Sequence, residues 1–438
     1  MNKFITKRTP VAKPKPKDSG SKENEKTQEV EVVEEKSVME ILHNAIKTDD
    51  AEHTYKVLSK NRPFDSNMNK TMTKMEFGPT FNNPESEFLL LSVDNAVVDA
   101  FYEGQSVTIR GENGDDAVLC TNEATYPMKI VESATTMLLL HNMLEAPKTP
   151  KESKPNFEVK MIDGRCYATG ELCPPSDILN ISRLKDLLHE TELPWDWMDK
   201  EEQSFGHTMD ELLQSVQMSE REIEIAMKDL PVVQFDTGKY TYLSHKFRGE
   251  MYGHLVEFID DDTKENVTMD KISSLGLRAA LPENVPDEVI EWFMSTRCEK
   301  NMDEDSHHII EECLVRDLIV IVLYGAQKME YNKFREVINK ILPYNVFVKP
   351  EHFEGIADIC DAPFGKTITY LAPEDLPDTI FDRMTHLFNH RKLWTMDQLR
   401  PFFTDLFKSK VSFDKYLVQK CDYTLSETNE IWYCGIKH

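Results

Sequence analysis

The chain has 438 residues, 40% of them hydrophobic, and a formal net charge of −26. Its length provides for roughly two to four domains, and its apolar content excludes a wholly disordered protein. So large an acidic excess excludes a protein that coats nucleic acid along its whole surface, and any DNA contact is expected to be local. The eight cysteines are scattered without a CxxC pair, as suits a reducing compartment. The longest uncharged apolar run, Leu318–Ala326, is too short to span a bilayer, and the first residues lack the apolar core of a signal peptide. An intracellular, soluble protein is expected.

Taken in order, residues 1–36 read as a disordered tail. Lys3, Lys7, Arg8, Lys13, Lys15, Lys17 and Lys22 make its first part basic, compatible with a nuclear import signal or a merely solubilising segment. Residues 37–84 read as two short helices (38–46 and 51–58) and a connector. A β-domain over 85–144 follows, centred on Ser106–Leu140. Period-two alternation of Val107 and Ile109, and of Tyr126, Met128 and Ile130, predicts strands near 88–93, 106–111, 117–121, 125–132 and 136–140. Such a meander forms either a small closed barrel or an open antiparallel sheet whose edges take a partner chain, and periodicity leaves both open. Residues 145–175 read as a linker ending in a possible strand pair with Asp163-Gly164 at its turn.

From residue 176 the pattern becomes helices followed by hairpins, in three rounds. In the first (176–250), Ile181, Leu184, Leu187 and Leu188 form a helical stripe. Thr208–Glu211 and Ser219–Glu222 are capping boxes, and Val232–Leu243 alternates as a hairpin. The second (285–372) places helices at Val289–Met294, Ile309–Ala326 and Tyr331–Leu342, then a hairpin over Ile359–Leu371. The third (373–438) has a helix at Ile380–Asn389, a capping box at Thr395–Gln398, a helix from Ser412 and a strand at Ile431–Cys434. Three helices and a two-stranded wing define a winged helix, a relative of the helix-turn-helix. The fold class expected is therefore α+β, an N-terminal sheet followed by three tandem winged-helix modules.

Catalytic motifs are lacking. Cys360–Thr367 ends like a phosphate-binding loop but lacks its first glycine and runs into β-prone residues, so it reads as a wing turn. His308 and Glu312 could share a helical face, yet two ligands complete no metal site, and a solvated acidic helix start is the plainer reading. No cofactor, metal or enzymatic activity is expected. Trp195 and Trp197 read either as a partner-facing knob or as a loop tucked onto the core. The apolar residues of the meander (Val107, Ile109, Val118, Leu119, Met128, Ile130, Leu138 and Leu140) are candidates for a partner interface. Residues 376–438 hold nine Lys or Arg against eight Asp or Glu. Within so acidic a chain, that makes Arg391, Lys392, Arg400, Lys408, Lys410, Lys415 and Lys420 candidates for phosphate contact, or a solvated basic face.

The runs Ser106–Gly111, Ala117–Thr121, Thr125–Ile130 and Met137–Leu140, with a second stretch at Leu387–Leu406, resemble the sister chromatid cohesion proteins of the Dcc type. The resemblance is good over 88–140 and 374–406, looser over 178–372 and absent over 1–80. It implies a nuclear, non-catalytic subunit of the alternative, replication-factor-C-like clamp loader that acts on PCNA. It implies that the N-terminal sheet co-folds with the small subunit and the C-terminal tail of the large subunit. The first winged helix would engage the catalytic region of polymerase epsilon, and the later modules would touch DNA weakly and without sequence preference. The competing reading is a winged-helix adaptor of another nuclear complex that binds only protein.

Overall fold

The computed structural model describes residues 40, 43–44, 46–61, 71–81, 88–140, 154–199, 205–259, 268–302, 306–363 and 365–437. The tail over 1–36 lies outside them, as do most of the expected connector and linker. The chain divides into two compact units, one of residues 1–90 and 132–169, the other of 91–131 and 170–438.

The first unit contains helix α1 (Ala51–Asn61), strand β1 (Thr71–Phe77) and parts of the long strands β5 (Thr125–Leu140) and β6 (Asn156–Leu172). Here the sequence expectation is corrected twice. The segments 125–132 and 136–140 are one strand, because the intervening Ser133–Thr135 has no Gly or Pro to break it. Asp163-Gly164 lies within β6 and makes no turn. Gly164 is there for space, since a Cβ would sit 2.4 Å from the Phe88 ring, the close approach that an in-strand glycine often marks. The pairing is also not purely antiparallel. β1 runs parallel to β6, from Thr71 opposite Asn156 to Phe77 opposite Ile162. The described strands form no closed barrel.

In the second unit, β3 (Thr108–Arg110), β4 (Val118–Cys120) and the start of β5 form the expected antiparallel meander, with Ile109 opposite Leu119 and Leu119 opposite Tyr126. The predicted strand at 88–93 is only β2 (Leu90–Ser92), and an unforeseen helix α2 (Asn95–Tyr102) follows it. Asp94 caps that helix by accepting from the Val97 amide at 3.0 Å.

The helical part repeats one order three times: helix, short strand or bridge, helix, helical turn or helix, hairpin. First come α3 (Ser182–Glu190), β7 (His207–Thr208), α4 (Met209–Ser215), α5 (Glu220–Lys228) and the hairpin β8 (Val232–Gln234) to β9 (Lys239–Tyr242). β7 pairs with β9. Two helices that the periodicity did not resolve, α6 (His245–Ile259) and α7 (Ser274–Ala280), and then α8 (Asp287–Arg297), which contains the helix expected at Val289–Met294, separate this round from the next. After the short strands β10 (Cys298–Lys300) and β11 (His307–Ile309), the second round has α9 (Glu311–Ala326), β12 (Lys328–Glu330), α10 (Tyr331–Ile341), a 3-10 turn (Pro350–Phe353) and the hairpin β13 (Ala357–Ala362) to β14 (Gly365–Tyr370). β12 pairs with β14. The third has α11 (Ile380–His390), a bridge from Trp394 to Tyr433, α12 (Met396–Leu399), α13 (Lys410–Lys420) and the hairpin β15 (Cys421–Leu425) to β16 (Ile431–Ile436).

The rounds do not each close a separate core. One cluster mixes Leu184, Leu188, Leu212 and Ile223 of the first with Met384, Leu387, Trp394, Phe403 and Phe413 of the third. The other gathers α6–α10 and the β13–β14 hairpin, with Phe247, Tyr252, Phe293, Ile319 and Phe334 near its centre. The first and third rounds are thus one packed body. The backbone confirms this, since Leu179 N donates to Leu406 O at 2.9 Å and Lys408 N to Asp177 O at 3.0 Å.

Candidate partner and nucleic-acid interfaces

All three capping boxes read from the sequence form. Thr208 with Glu211, Ser219 with Glu222 and Thr395 with Gln398 each exchange side-chain and backbone hydrogen bonds. Two of their carboxylates or amides carry more than a cap. Gln398 Oε1 accepts from Thr395 N and also from Arg391 Nη2 at 2.8 Å. Glu222, almost fully buried, accepts from Ser219 N at 3.0 Å, from Thr125 Oγ1 at 2.5 Å and from Lys408 Nζ at 2.6 Å. Burial raises its proton affinity, but Lys408, Thr125 and the Ser219 amide outweigh burial and hold the carboxyl below the usual range. One side chain therefore joins the β-meander, the first helical round and the third. The joint is reinforced by Gln217 Nε2 donating to Asp116 O at 2.8 Å and by Arg221 N donating to Asn122 O at 3.1 Å.

That geometry sorts the candidate cations. Lys408 is committed to Glu222. Arg400 bridges Asp397 at 2.6 Å and Asp414 at 3.1 Å. Arg391 donates to Asp358 at 3.0 Å and lies 3.7 Å over the Trp394 ring. Lys392, Lys410, Lys415 and Lys420 are exposed, three of them on α13. Beside them the β15–β16 hairpin exposes Tyr423, Leu425 and Ile431.

The apolar candidates divide similarly. Leu119 is core, while Val107, Val118, Met128 and Leu140 are half-buried. Ile109, Ile130 and Leu138 are exposed, the first two by 53% and 54%. Trp195 and Trp197 pack against the larger core. Trp195 meets Phe247 edge-on and His254 face-on, and Trp197 Nε1 donates to Asn284 O at 2.7 Å. The tucked-loop alternative fits that placement.

Sequence reasoning missed a larger apolar surface. Among the described residues of the first unit, Ile162 and Cys166 are the buried hydrophobics, whereas Met75, Phe77, Phe88, Leu89, Leu90, Leu138, Val159, Met161 and Tyr167 are exposed. Paired residues share a face, so Met75 and Phe77 lie on the side of Ile162. Val159 and Met161 lie on the other. An ordinary half-buried sheet shows apolar residues on one face only. The Thr71–Phe77 segment carries the signal, alternating Met75 and Phe77 with Lys74 and Glu76, but it sits among polar residues that masked it.

The remaining motifs resolve simply. Cys360–Thr367 lies in the β13–β14 hairpin, with Cys360 opposite Thr367 and Asp361 opposite Lys366. No helix starts there to turn amides toward a phosphate. His308 lies in β11 beside Asn301 and Glu299, ahead of α9, so it does not share a helical face with Glu312.

A family model described as Sister chromatid cohesion protein Dcc1 matches residues 88–403. The sister chromatid cohesion protein DCC1 of Danio rerio is 26% identical over 339 residues, covering 74% of this chain and 83% of the relative. That of Homo sapiens is 25% identical, covering 75% and 84%. The probable sister chromatid cohesion protein DCC1 of Dictyostelium discoideum is 20% identical, covering 76% and 90%. With most of its helical rounds and its whole meander inside the match, the chain belongs to the Dcc1 family of sister chromatid cohesion proteins.

Proposed function

We propose that this chain is a non-catalytic, nuclear subunit of the alternative clamp loader. In that role it scaffolds the complex and links it to polymerase epsilon and DNA during PCNA loading or unloading and sister chromatid cohesion. The observation that carries the reading is the first unit's apolar sheet, exposed on both faces with almost nothing buried among its described residues. A chain built so is incomplete alone, and shared sheet faces and edges are a route to obligate assembly. The occupants are the small subunit and the C-terminal tail of the large subunit. Co-expression of the full chain with both, followed by size-exclusion chromatography with light scattering, is expected to give a stable 1:1:1 complex. Phe77→Asp is expected to lose it. A wild-type chain that remains monomeric beside both partners overturns the reading.

The repeated helix, strand, helix, hairpin order supports three winged-helix modules, with α13 the groove-facing helix of the last. Its exposed Lys410, Lys415 and Lys420 then contact phosphates. Changing all three to Glu is expected to weaken DNA binding and to flatten the plot of log K against log salt by up to about 2.7. An unchanged slope would assign DNA binding elsewhere and favour the protein-only adaptor.

A further inference from the structure

Hairpin β13–β14 and helix α11 meet at three side chains whose ligand-type atoms converge. Asp358 Oδ2 lies 2.9 Å from Cys360 Sγ and 3.0 Å from His390 Nε2, and Sγ and Nε2 are 3.8 Å apart. These separations bracket the roughly 3.3–3.6 Å between ligands on a tetrahedral zinc ion with Zn–S near ~2.3 Å and Zn–N and Zn–O near ~2.0 Å. The other carboxylate oxygen, Oδ1, accepts from Arg391 Nη1 at 3.0 Å. Arg391 is fixed in turn by Gln398 and by the Trp394 ring. A ligating carboxylate is commonly oriented by such an outer partner. A 410 Å³ cavity lined by Asp358, Ile359, Arg391 and Trp394, among others, lies against the Asp358 side of the cluster.

We infer that Asp358, Cys360 and His390 form a zinc site with one position open to water, clamping the middle hairpin to the last helical round. Thiolate with imidazole favours zinc over magnesium or calcium. On loading, the Cys360 thiol releases its proton to solvent, and neutral His390 presents the Nε2 lone pair with its proton on Nδ1. The two anionic ligands balance the ion's charge. The other group of this kind among the described residues, His245, Glu374 and Asp375, is already engaged. Arg248 donates to both Glu374 oxygens and contacts His245 Nδ1 at 2.9 Å, and the Tyr370 hydroxyl donates to Asp375 at 2.5 Å.

The test strips the full-length protein with chelator and titrates it with zinc or cobalt. Expected are one tightly held ion per chain, a near-ultraviolet thiolate-to-cobalt charge-transfer band, and a higher thermal midpoint in zinc. Cys360→Ser and His390→Ala each weaken binding by at least about tenfold. Cys434→Ser, at an exposed cysteine elsewhere, leaves it unchanged. X-ray absorption on the zinc-loaded wild type, which does not depend on variants folding, is expected to show one sulfur and otherwise nitrogen or oxygen neighbours. Absence of stoichiometric binding, binding undiminished in either variant, or a shell with no sulfur or several sulfurs overturns the site.

Discussion

Arg383→Met is expected to lower the stability of the second unit by about 3–5 kcal/mol, the usual cost of leaving one half of a buried ion pair. The Arg383 side chain is wholly inaccessible, and each of its five N–H donors has an acceptor. Nε donates to Pro377 O at 2.7 Å. Nη1 donates to Phe402 O at 2.8 Å and Asp405 Oδ1 at 2.5 Å, and Nη2 to Asp405 Oδ2 at 2.9 Å and Pro373 O at 3.3 Å. Lys185 of α3 enters the same centre, its three donors taken by Pro373 O, Glu374 O and Asp378. The network thus ties the first round, the 373–378 segment and the third round at one buried point. Methionine fills much of the volume but strands the Asp405 carboxylate, with only Lys185 3.9 Å away. Lysine at 383 is not a conservative change, since it cannot reproduce the bidentate fork or its five donors. Because a multi-unit chain need not unfold in one step, the measurement is hydrogen exchange at α3 and α11. Both should lose protection together in Arg383→Met. Arg383→Met/Asp405→Leu should recover a substantial part of it, since removing both charges also removes the uncompensated one. Loss of protection confined to α11 would mean that the two rounds are not one cooperative body.

How much of this was legible beforehand follows from the range of each interaction. The capping boxes at Thr208, Ser219 and Thr395 and the hairpins at 232–242 and 357–370 are local, with every partner within a few residues, and the sequence carries them openly. Helix α6 was missed although Phe247, Met251, Tyr252, Leu255 and Val256 lie on one face, because Arg248 shares that buried face and Gly249 and Gly253 interrupt the helix-forming run. The parallel β1–β6 pair joins segments far apart in the chain, and no turn motif announces such a pairing. Arg383 and Lys185 look like solvated helix residues until their carboxylates and carbonyls are placed. The basic cluster was legible as composition but not as function. Spacing alone does not reveal that Arg391, Arg400 and Lys408 have acidic partners while Lys392, Lys410, Lys415 and Lys420 face solvent.

Glu222→Gln is expected to lower stability at neutral pH by about 1.5–3 kcal/mol, the range for hydrogen bonds to a charged group, and the loss should vanish in acid. Glu222 and Lys408 are 186 residues apart in sequence, and Thr125 is 97 residues from Glu222 in the other direction. Breaking this carboxylate's contacts therefore loosens three segments at once. The folded carboxyl is held below its ordinary range, net of burial, by Lys408, Thr125 and the Ser219 amide. A carboxylate depressed in the folded state contributes its full stabilisation above the unfolded value, about 4.3 for Glu. That contribution declines as pH falls from there through the folded value. Thermal midpoints of wild type and Glu222→Gln should therefore differ most at neutral pH, draw together as pH falls below about 4.3, and coincide once it is below the folded value. A constant gap across the titration would mean that the amide disrupts packing, with charge irrelevant. Lys408→Ala completes the cycle: if Lys408 acts chiefly through Glu222, the double variant should cost less than the sum of the two single changes. Lys408→Ala should also leave the salt dependence of DNA binding near wild type, whereas Lys415→Glu should change that dependence and leave stability almost untouched. Opposite behaviour of two lysines so near in sequence would separate the residue that holds the rounds together from one that faces phosphate.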